Sequence, residues 1–311
     1  MPKILISGLI NIETTLRVES FPITYTPVRY PFYGVNSSVS GVGYNIARAL
    51  SRLGNDVRLL SLIGRDPQAS LVREALERDG ISGKNVLDLL DQTAQSVILY
   101  DGEGRRQINV DLKGVQEMTY PPARYAQAAQ GCDLLVLTNI NFSRPFLEQA
   151  RRAGKRIATD VHALTDLSDP YNTDFMRAAN ILFMSHEWLS VPPEQWARRV
   201  WERYDPDVLV IGMGGEGALL AIKRENRIER IPAVRVRPIA NTIGAGDALF
   251  SAFLHSYVKT SDPYQSLRRA MLFASYKIGA VSAADGFLDD AGLEELYAQT
   301  YPTDPSPEVQ P

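Results

Sequence analysis

The sequence has few of the residues that build disulfide frameworks or metal centres. Its single cysteine, Cys132, excludes an internal disulfide framework and indicates a reducing compartment. The strand-like residues around it favour a buried, inert thiol over a nucleophile. The three histidines, His162, His186 and His255, are not spaced as a metal set, and the cysteine and histidine pairs of a zinc site are lacking.

Long apolar runs and a strong charge of either sign are also absent. No run approaches the length of a membrane span. The N-terminus enters a strand pattern directly and carries no signal peptide. The 311 residues have a net charge of −3, so no general attraction to nucleic acid or to an anionic membrane is expected. We therefore predict a cytoplasmic protein whose partners are small molecules.

Several familiar nucleotide and hydrolase motifs are missing. The Gly-Lys dipeptides at 83–84 and 154–155 lack the remaining residues of a P-loop, and there is no G-x-S-x-G elbow. Gly212, Gly214 and Gly217 spell G-x-G-x-x-G after a strand pattern. Because the residues after Gly217 predict a hairpin and not a helix, this context argues against an NAD-binding domain.

Most of the chain alternates short apolar runs with amphipathic segments. Helices are predicted near the end of the chain at 245–258, 263–284 and about 291–299, after a series of strands and helices that begins at residue 4. Alternation at this spacing predicts a three-layer α/β/α fold with a mostly parallel sheet.

Two segments depart from this alternation. Residues about 12–40 are rich in tyrosine, proline and serine, and residues about 95–113 read as a hairpin without a helix partner. We interpret both as parts of one small β-sheet attached to the main sheet. Residues 1–302 are then a single domain, and 303–311 are predicted to be a disordered tail.

The stretch 241–254 carries the chemistry. Gly244, Ala245 and Gly246 form a small-residue turn, Asp247 follows, and an apolar helix begins there. Free N–H groups and the positive end of the helix dipole make such a turn an anion site. A carboxylate beside bound phosphate suits phosphoryl transfer, where a base removes the proton of the attacking hydroxyl. The alternative is a helix N-terminus with small residues for packing.

A second glycine turn lies two hundred residues upstream. Gly41, Gly43 and Asn45 open an amphipathic helix that ends at Gly54. By itself this is only a helix N-terminus. The two motifs together resemble, in order, the two signatures of the ribokinase-like (phosphofructokinase-B) kinases, although Ser40 replaces the first glycine of the first signature. The resemblance covers residues 4 to about 288.

This resemblance implies a function and a set of site residues. The fold would be ribokinase-like with a β-sheet lid, and the cofactors would be ATP and Mg²⁺. The catalytic residues would be Asp247 as general base and the amides of Gly244, Ala245 and Gly246 as anion hole. The acceptor would be held by Asn11, Glu13, Gly41, Gly43, Asn45 and Asn141. The nucleotide would lie near the helix at 275–283 and over Gly214, Gly215, Gly217 and Thr242.

Two departures from the family pattern concern cations. The second signature usually begins with an aspartate that some members use in a monovalent-cation site, and Asn241 puts potassium activation in doubt. The family's Asn-x-x-Glu motif, which organises magnesium through water, has no asparagine here. Glu187 is the candidate for the retained carboxylate, and a plain surface residue after a strand is the alternative.

The sequence favours an acceptor without a phosphate. A phosphosugar kinase needs basic groups for the second phosphate, and only Arg105, Arg106 and Lys113 are basic near the second lid segment. We predict transfer to a hydroxymethyl group of a small sugar or nucleoside. The alternatives are a phosphosugar kinase of the same family and a kinase-like protein that binds its ligand without turnover.

The lid also bears on ligand size and assembly. Members of the family often pair their lids, so a homodimer through the lid is an expectation. Four aromatic side chains of the first lid segment either stack on a nucleobase or sugar face or form the lid core. They are Tyr25, Tyr30, Phe32 and Tyr33.

Overall fold

The computed structural model describes residues 1–280 and 283–302, and the predicted tail at 303–311 lies outside these ranges. The strands, in chain order, are β1 (Lys3–Ser7), β2 (Asn11–Arg17), β3 (Val35–Ser40), β4 (Asp56–Gly64), β5 (Val86–Leu90), β6 (Gln95–Tyr100), β7 (Arg106–Asp111), β8 (Leu134–Leu137), β9 (Ile157–Ala163), β10 (Ile181–Ser185), β11 (Val208–Gly212), β12 (Ala218–Ile222) and β13 (Arg227–Ile231).

The helices alternate with the strands of the main sheet and then follow them. They are α1 (Val42–Arg52), α2 (Pro67–Arg78), α3 (Pro122–Ala129), α4 (Arg144–Arg152), α5 (Thr173–Ala178), α6 (Pro193–Arg203), α7 (Ala245–Thr260), α8 (Pro263–Lys277) and α9 (Asp290–Thr300). None of the helices in the described part of the chain combines the length and apolar character that crossing a bilayer requires.

Nine strands form the main sheet in the order β13-β12-β11-β10-β9-β8-β1-β4-β5. The pairs from β11 to β5 are parallel, and β12 and β13 add an antiparallel hairpin at one edge. Helices α1, α2, α7, α8 and α9 cover one face, and α3 to α6 cover the other. The predicted three-layer, mostly parallel fold is confirmed.

Side-chain alternation explains how one strand supplies both layers. Ile4 and Ile6 of β1 point into the core with α1 and α7, whereas Leu5 between them packs into the opposite core. All three are fully buried. Helix α7 is apolar around its circumference and its residues 248–257 are buried, because α8 and α1 pack against it.

The remaining four strands form a separate sheet in the order β3-β2-β6-β7, which we call the small sheet. It combines the two segments that the sequence singled out, and β6 and β7 pair as the predicted hairpin. Strand β2 begins three residues after Gly8, which follows β1, so the small sheet emerges directly from the carboxyl end of the main sheet.

Some boundaries differ from the prediction. Helix α8 ends at Lys277 and not near residue 284, because the chain turns at 278–280. Strand β9 continues to Ala163, four residues past its predicted end, and β5 was not predicted. The longer β9 matters for the site, since it carries Asp160 and His162 to the carboxyl edge of the sheet.

Candidate active site

The candidate site lies where several parallel strands end. Strands β1, β9, β10 and β11 all point their carboxyl ends to the same edge of the main sheet. The small sheet begins at that edge, and α7 starts beside it. Clefts at the carboxyl ends of parallel strands are where open α/β sheets bind ligands.

The turn before α7 has the backbone that an anion site requires. Gly244 is the N-cap residue with φ 75° and ψ 9°, a left-handed conformation that favours glycine. A Cβ on Gly244 would lie 2.6 Å from the carbonyl oxygen of Ala283, whereas a Cβ on Gly246 would meet no protein atom within 4 Å. Gly244 is therefore constrained by the fold, and Gly246 borders open space.

The amides of this turn are not equivalent. The Ala245 N–H donates to the Thr242 carbonyl oxygen at 3.2 Å. The first bond of the helical ladder runs from Ala248 N–H to the Gly244 carbonyl, at 3.0 Å. The N–H groups of Gly246 and Asp247 thus precede the ladder and have no helical acceptor. The N–H of Ala245, by contrast, already has an acceptor within the turn.

Asp247 is held by a residue that is distant in the chain. Asn45 Nδ2 donates to Asp247 Oδ2 at 2.8 Å. Desolvation raises the pKa of Asp247 to about 6, against the lowering effects of the Asn45 hydrogen bond and of His162. The carboxylate is therefore ionised at neutral pH but more basic than an ordinary aspartate, as a general base should be.

A chain of polar side chains leads from Asp247 to the small sheet. The Ser40 hydroxyl lies 3.0 Å from Glu13 Oε2 and 3.3 Å from Asn45 Oδ1. Asn11 lies on β2 with Glu13, and its Nδ2 donates to Ser96 Oγ of the neighbouring strand β6 at 3.0 Å. The structure thus brings three of the predicted acceptor residues, Asn11, Glu13 and Asn45, to one side of Asp247.

Two oxygens in this group are buried without a hydrogen-bond partner in the described part of the chain. They are Asn11 Oδ1 and Glu13 Oε1. Burial raises the pKa of Glu13, and the nearby Asp247 raises it further, whereas the Ser40 hydrogen bond lowers it. Unpaired buried acceptors are costly. Ligand hydroxyl groups, which donate hydrogen bonds, would satisfy both.

Gly41 and Gly43 have a packing explanation. Gly41 has φ 103°, and a Cβ there would lie 2.6 Å from the Leu9 carbonyl oxygen. A Cβ on Gly43 would lie 2.6 Å from the Gly8 carbonyl oxygen. Both glycines let α1 approach the chain between β1 and β2, which is how Asn45 reaches Asp247.

The predicted nucleotide residues lie in two turns, one after β11 and one before α7. Gly214 and Gly215 are exposed in a single 3₁₀ turn after β11, and Gly217 has φ 103°. The hairpin β12–β13 follows, as predicted, in place of the helix that a dinucleotide fold would have. Thr242 Oγ1 accepts a hydrogen bond from Arg106 Nη1 at 2.7 Å, which ties the small sheet to the turn.

Asn141, another predicted acceptor residue, has hydrogen-bond partners of its own. Its side chain donates to the Gln116 carbonyl oxygen at 3.0 Å, and its Oδ1 accepts from Arg144 at 3.4 Å. These bonds fasten the end of the segment that follows β7 to the turn after β8. The structure does not include Asn141 in the polar chain that ends at Asp247.

Three residues near Asp247 were not identified from the sequence. Asp160 and His162 of β9 act electrostatically on Asp247, and so does Lys277 of α8. For Asp160, which is buried, a polar residue at the end of a buried parallel strand was an available signal. His162 has φ 59° and its N–H donates to Asp160 Oδ1 at 2.8 Å. No local pattern pointed to Lys277.

Most of the chain, including Asp247, matches one family model. Residues 1–290 match the model described as the pfkB family of carbohydrate kinases. Among curated relatives, the ATP-dependent ribose-1-phosphate kinase of Halopiger xanaduensis is 25% identical over 298 residues, which are 94% of this chain and 97% of the relative.

Solved structures show the same fold. A microbiome-derived acarbose kinase superimposes with a TM-score of 0.85 at 24% identity, covering 96% of this chain and 99% of that one. The nucleoside kinase of Burkholderia thailandensis, solved with inosine, gives a TM-score of 0.78 at 20% identity and covers 97% and 100% of the two chains.

Proposed function

Because the chain belongs to the pfkB family of carbohydrate kinases, we propose that it transfers the γ-phosphoryl group of ATP to a hydroxymethyl group of an unphosphorylated sugar or nucleoside. A phosphotransferase acting on a sugar or nucleoside is the activity that its relatives share. The observation that carries the finer proposal is the polar chain that joins Glu13 to Asp247 through Ser40 and Asn45. It stands beside two unpaired buried acceptors, Glu13 Oε1 and, two residues earlier on β2, Asn11 Oδ1.

The proposed chemistry follows from this arrangement. Asn45 holds one oxygen of Asp247, and Oδ1 receives the proton of the acceptor hydroxyl. The acceptor oxygen bonds to the γ-phosphorus as the bond to the ADP oxygen breaks, so that ADP leaves with the electron pair. The amides of Gly246 and Asp247 stabilise the charge on the transferring group, which in similar sites contributes about 3–4 kcal/mol per donor.

The charge of the acceptor side supports a neutral acceptor. Glu13 and Asp247 are two carboxylates that would repel a substrate phosphate. The three basic residues of the second lid segment already have acidic partners. Arg105 pairs with Asp101 and Glu103, Lys113 pairs with Asp111, and Arg106 lies 3.9 Å from Glu187. The alternative, a phosphosugar kinase, is favoured by the Halopiger relative, which is a ribose-1-phosphate kinase.

The residues present are compatible with a magnesium ion that binds together with the nucleotide and takes most of its ligands from the phosphates and water. No cluster of three metal-binding side chains exists in the described ranges. Magnesium often keeps several waters and takes one or two carboxylates plus substrate phosphates, so a protein cage is not required. Glu187 would hold it through water, beside Arg106. When bound, the ion would neutralise charge on the β- and γ-phosphates.

The exposed aromatic side chains extend the range of acceptors to test. Tyr25, Tyr30, Phe32 and Tyr33 are all more than three-quarters exposed, so the interpretation as lid core is wrong. Tyr30 and Phe32 stack on each other with ring centroids 6.4 Å apart. A flat apolar surface of this kind suits a nucleobase or the C–H face of an extended saccharide.

The test is a coupled ADP-release assay across acceptor classes. The panel contains ribose, deoxyribose, fructose, inosine, acarbose and ribose 1-phosphate, each with ATP and magnesium. We expect turnover with at least one neutral acceptor. Turnover with ribose 1-phosphate alone would show that the neutral-acceptor proposal is wrong. Thermal stabilisation by an acceptor without any ADP release would instead favour a binding protein.

Replacing Glu13 with glutamine should weaken acceptor binding selectively. The amide removes one acceptor atom that no protein group uses, so KM for the acceptor should rise about tenfold to a hundredfold, the range for a hydrogen bond to a charged group. KM for ATP should stay within a factor of about three, well under the 1.4 kcal/mol of a tenfold change. Steady-state kinetics measure both, with the exposed Glu117→Gln as control. An unchanged acceptor KM would remove Glu13 from the site.

We also propose that the small sheet mediates a homodimer. The face of this sheet opposite Glu13 exposes Val35 to 55% and Val97 to 44%, an apolar surface that a second copy would cover. Light scattering of the purified protein checks this, and a monomer at assay concentration would contradict it. The cytoplasmic location and the lid-bearing single domain at 1–302 stay predictions.

A further inference from the structure

Lys277, the last residue of α8, is fully buried. Lysine is almost never fully buried unless its charge is paired. Within the described residues, its ammonium group donates a hydrogen bond to the carbonyl oxygen of Ile243, a backbone acceptor and not a carboxylate. Ile243 immediately precedes Gly244, the first residue of the turn at 244–247, which we call the anion turn.

Both the N–H and the carbonyl oxygen of Ile243 make hydrogen bonds to side chains. Its N–H donates to Asn241 Oδ1 at 3.0 Å, while its carbonyl oxygen accepts from Lys277. The following residue, Gly244, packs so closely on the Ala283 backbone that a Cβ would not fit there. The orientation of the anion turn therefore depends on a lysine that lies 34 residues away in the chain.

Charged groups surround this ammonium from several elements. Asp247 of α7, Glu13 of β2 and Asp285 after α8 attract it, and Arg237 before α7 repels it. Burial lowers the pKa of Lys277 to about 8, although the three carboxylates act in the opposite direction. In turn, Lys277 lowers the pKa of Asp247 and of Glu13. The lysine is thus a cation that acts on both carboxylates of the acceptor side.

We propose that Lys277 is a positioning residue whose buried ammonium acts as a built-in monovalent cation, holding the Ile243 carbonyl so that the turn before α7 faces the transferring phosphoryl group. This inference rests on the proposed kinase function. Asn241 has no charge with which to hold a bound monovalent cation before the turn. In this proposal the positive charge comes instead from the side chain of Lys277. Turnover should then need no added potassium.

The main test compares two substitutions with a surface control. Lys277→Met keeps the length of the side chain and removes its charge, Lys277→Ala leaves a space beside the Ile243 carbonyl, and Lys84→Met changes an exposed lysine. We expect kcat of both Lys277 variants to fall about 10²–10³-fold, as when an oxyanion-hole donor is removed. KM for ATP and for the acceptor should change far less, because the proposal assigns Lys277 to the Ile243 carbonyl oxygen and not to a substrate.

Chemical rescue separates the role of the charge from a role in packing. Ammonium or potassium ions should restore part of the kcat of Lys277→Ala, whereas tetramethylammonium, which is too large for the space, should not. In wild type, kcat/KM should rise through about pH 6 as Asp247 ionises and fall above about pH 8 as Lys277 loses its proton. In Lys277→Met the acid limb should move to higher pH, because the carboxylates lose a cation.

The outcomes distinguish this inference from the proposed function. If wild type releases no ADP with any acceptor, the proposed function fails. The Lys277 proposal is then still tested by the rise in melting temperature that a nucleotide causes, which should be smaller in Lys277→Met than in wild type. If wild type turns over and Lys277→Met retains its kcat, the Lys277 proposal is overturned. Loss of kcat in proportion to the unfolded fraction, without rescue, would also overturn it. So would a potassium requirement of wild type, a measurement that needs no folded variant.

Discussion

Asp247→Asn is expected to fold normally and to lose about 10²–10⁴ in kcat, the range that general base catalysis contributes. Asparagine keeps the shape of the side chain and the partner at Asn45, but it cannot accept the hydroxyl proton. Burial makes the aspartate more basic than usual, so the substitution removes a stronger base than an ordinary carboxylate. Single-turnover kinetics with ATP and the best acceptor measure the loss at the chemical step.

Binding measurements separate this loss from a damaged site. Calorimetry should give dissociation constants of Asp247→Asn for nucleotide and acceptor within about tenfold of wild type, or roughly 1.4 kcal/mol. Asp91→Asn, which changes an exposed aspartate in the same way, should keep full activity. A near-normal kcat for Asp247→Asn would assign the base elsewhere, with Asp160 as the next carboxylate to replace.

Gly244→Ala is expected to damage both stability and turnover. The left-handed backbone alone costs about 1–2 kcal/mol for a residue with a Cβ, and here the Cβ would also press on the Ala283 carbonyl oxygen. The turn must shift to relieve this contact, and a shift of about 1 Å at a catalytic group costs roughly 10²-fold in rate. Denaturant unfolding and steady-state kinetics measure the two effects.

Gly246→Ala is the matched control for stability. Gly246 lies in the first turn of α7, and its Cβ would meet no protein atom within 4 Å. Alanine there should leave the free energy of unfolding unchanged or raise it by about 0.5–1 kcal/mol, the usual gain over glycine in a helix. Equal destabilisation by the two substitutions would contradict the constraint inferred for Gly244.

The parts predictable from the sequence were those encoded by neighbouring residues. The glycine turn before Asp247, the hairpin after Gly217 and the parallel α/β alternation each depend on residues that are close in the chain. Strand β5 and the end of α8 were missed because their boundaries depend on packing partners. The same limit applies to the partner of Asn141, the carbonyl oxygen of Gln116, which lies 25 residues earlier in the chain.

By itself, the sequence determined the fold class, the family resemblance and the carboxylate that follows an anion turn, since periodicity and helix N-terminal chemistry are local properties. Only the tertiary structure decided which polar groups surround that carboxylate. Asn45 and Asp247 are 202 residues apart, yet they bond at 2.8 Å because α1 packs against α7. Lys277 became the cation of the site for the same reason, because burial and long-range contact, which shift pKa values, arise only when distant elements pack together.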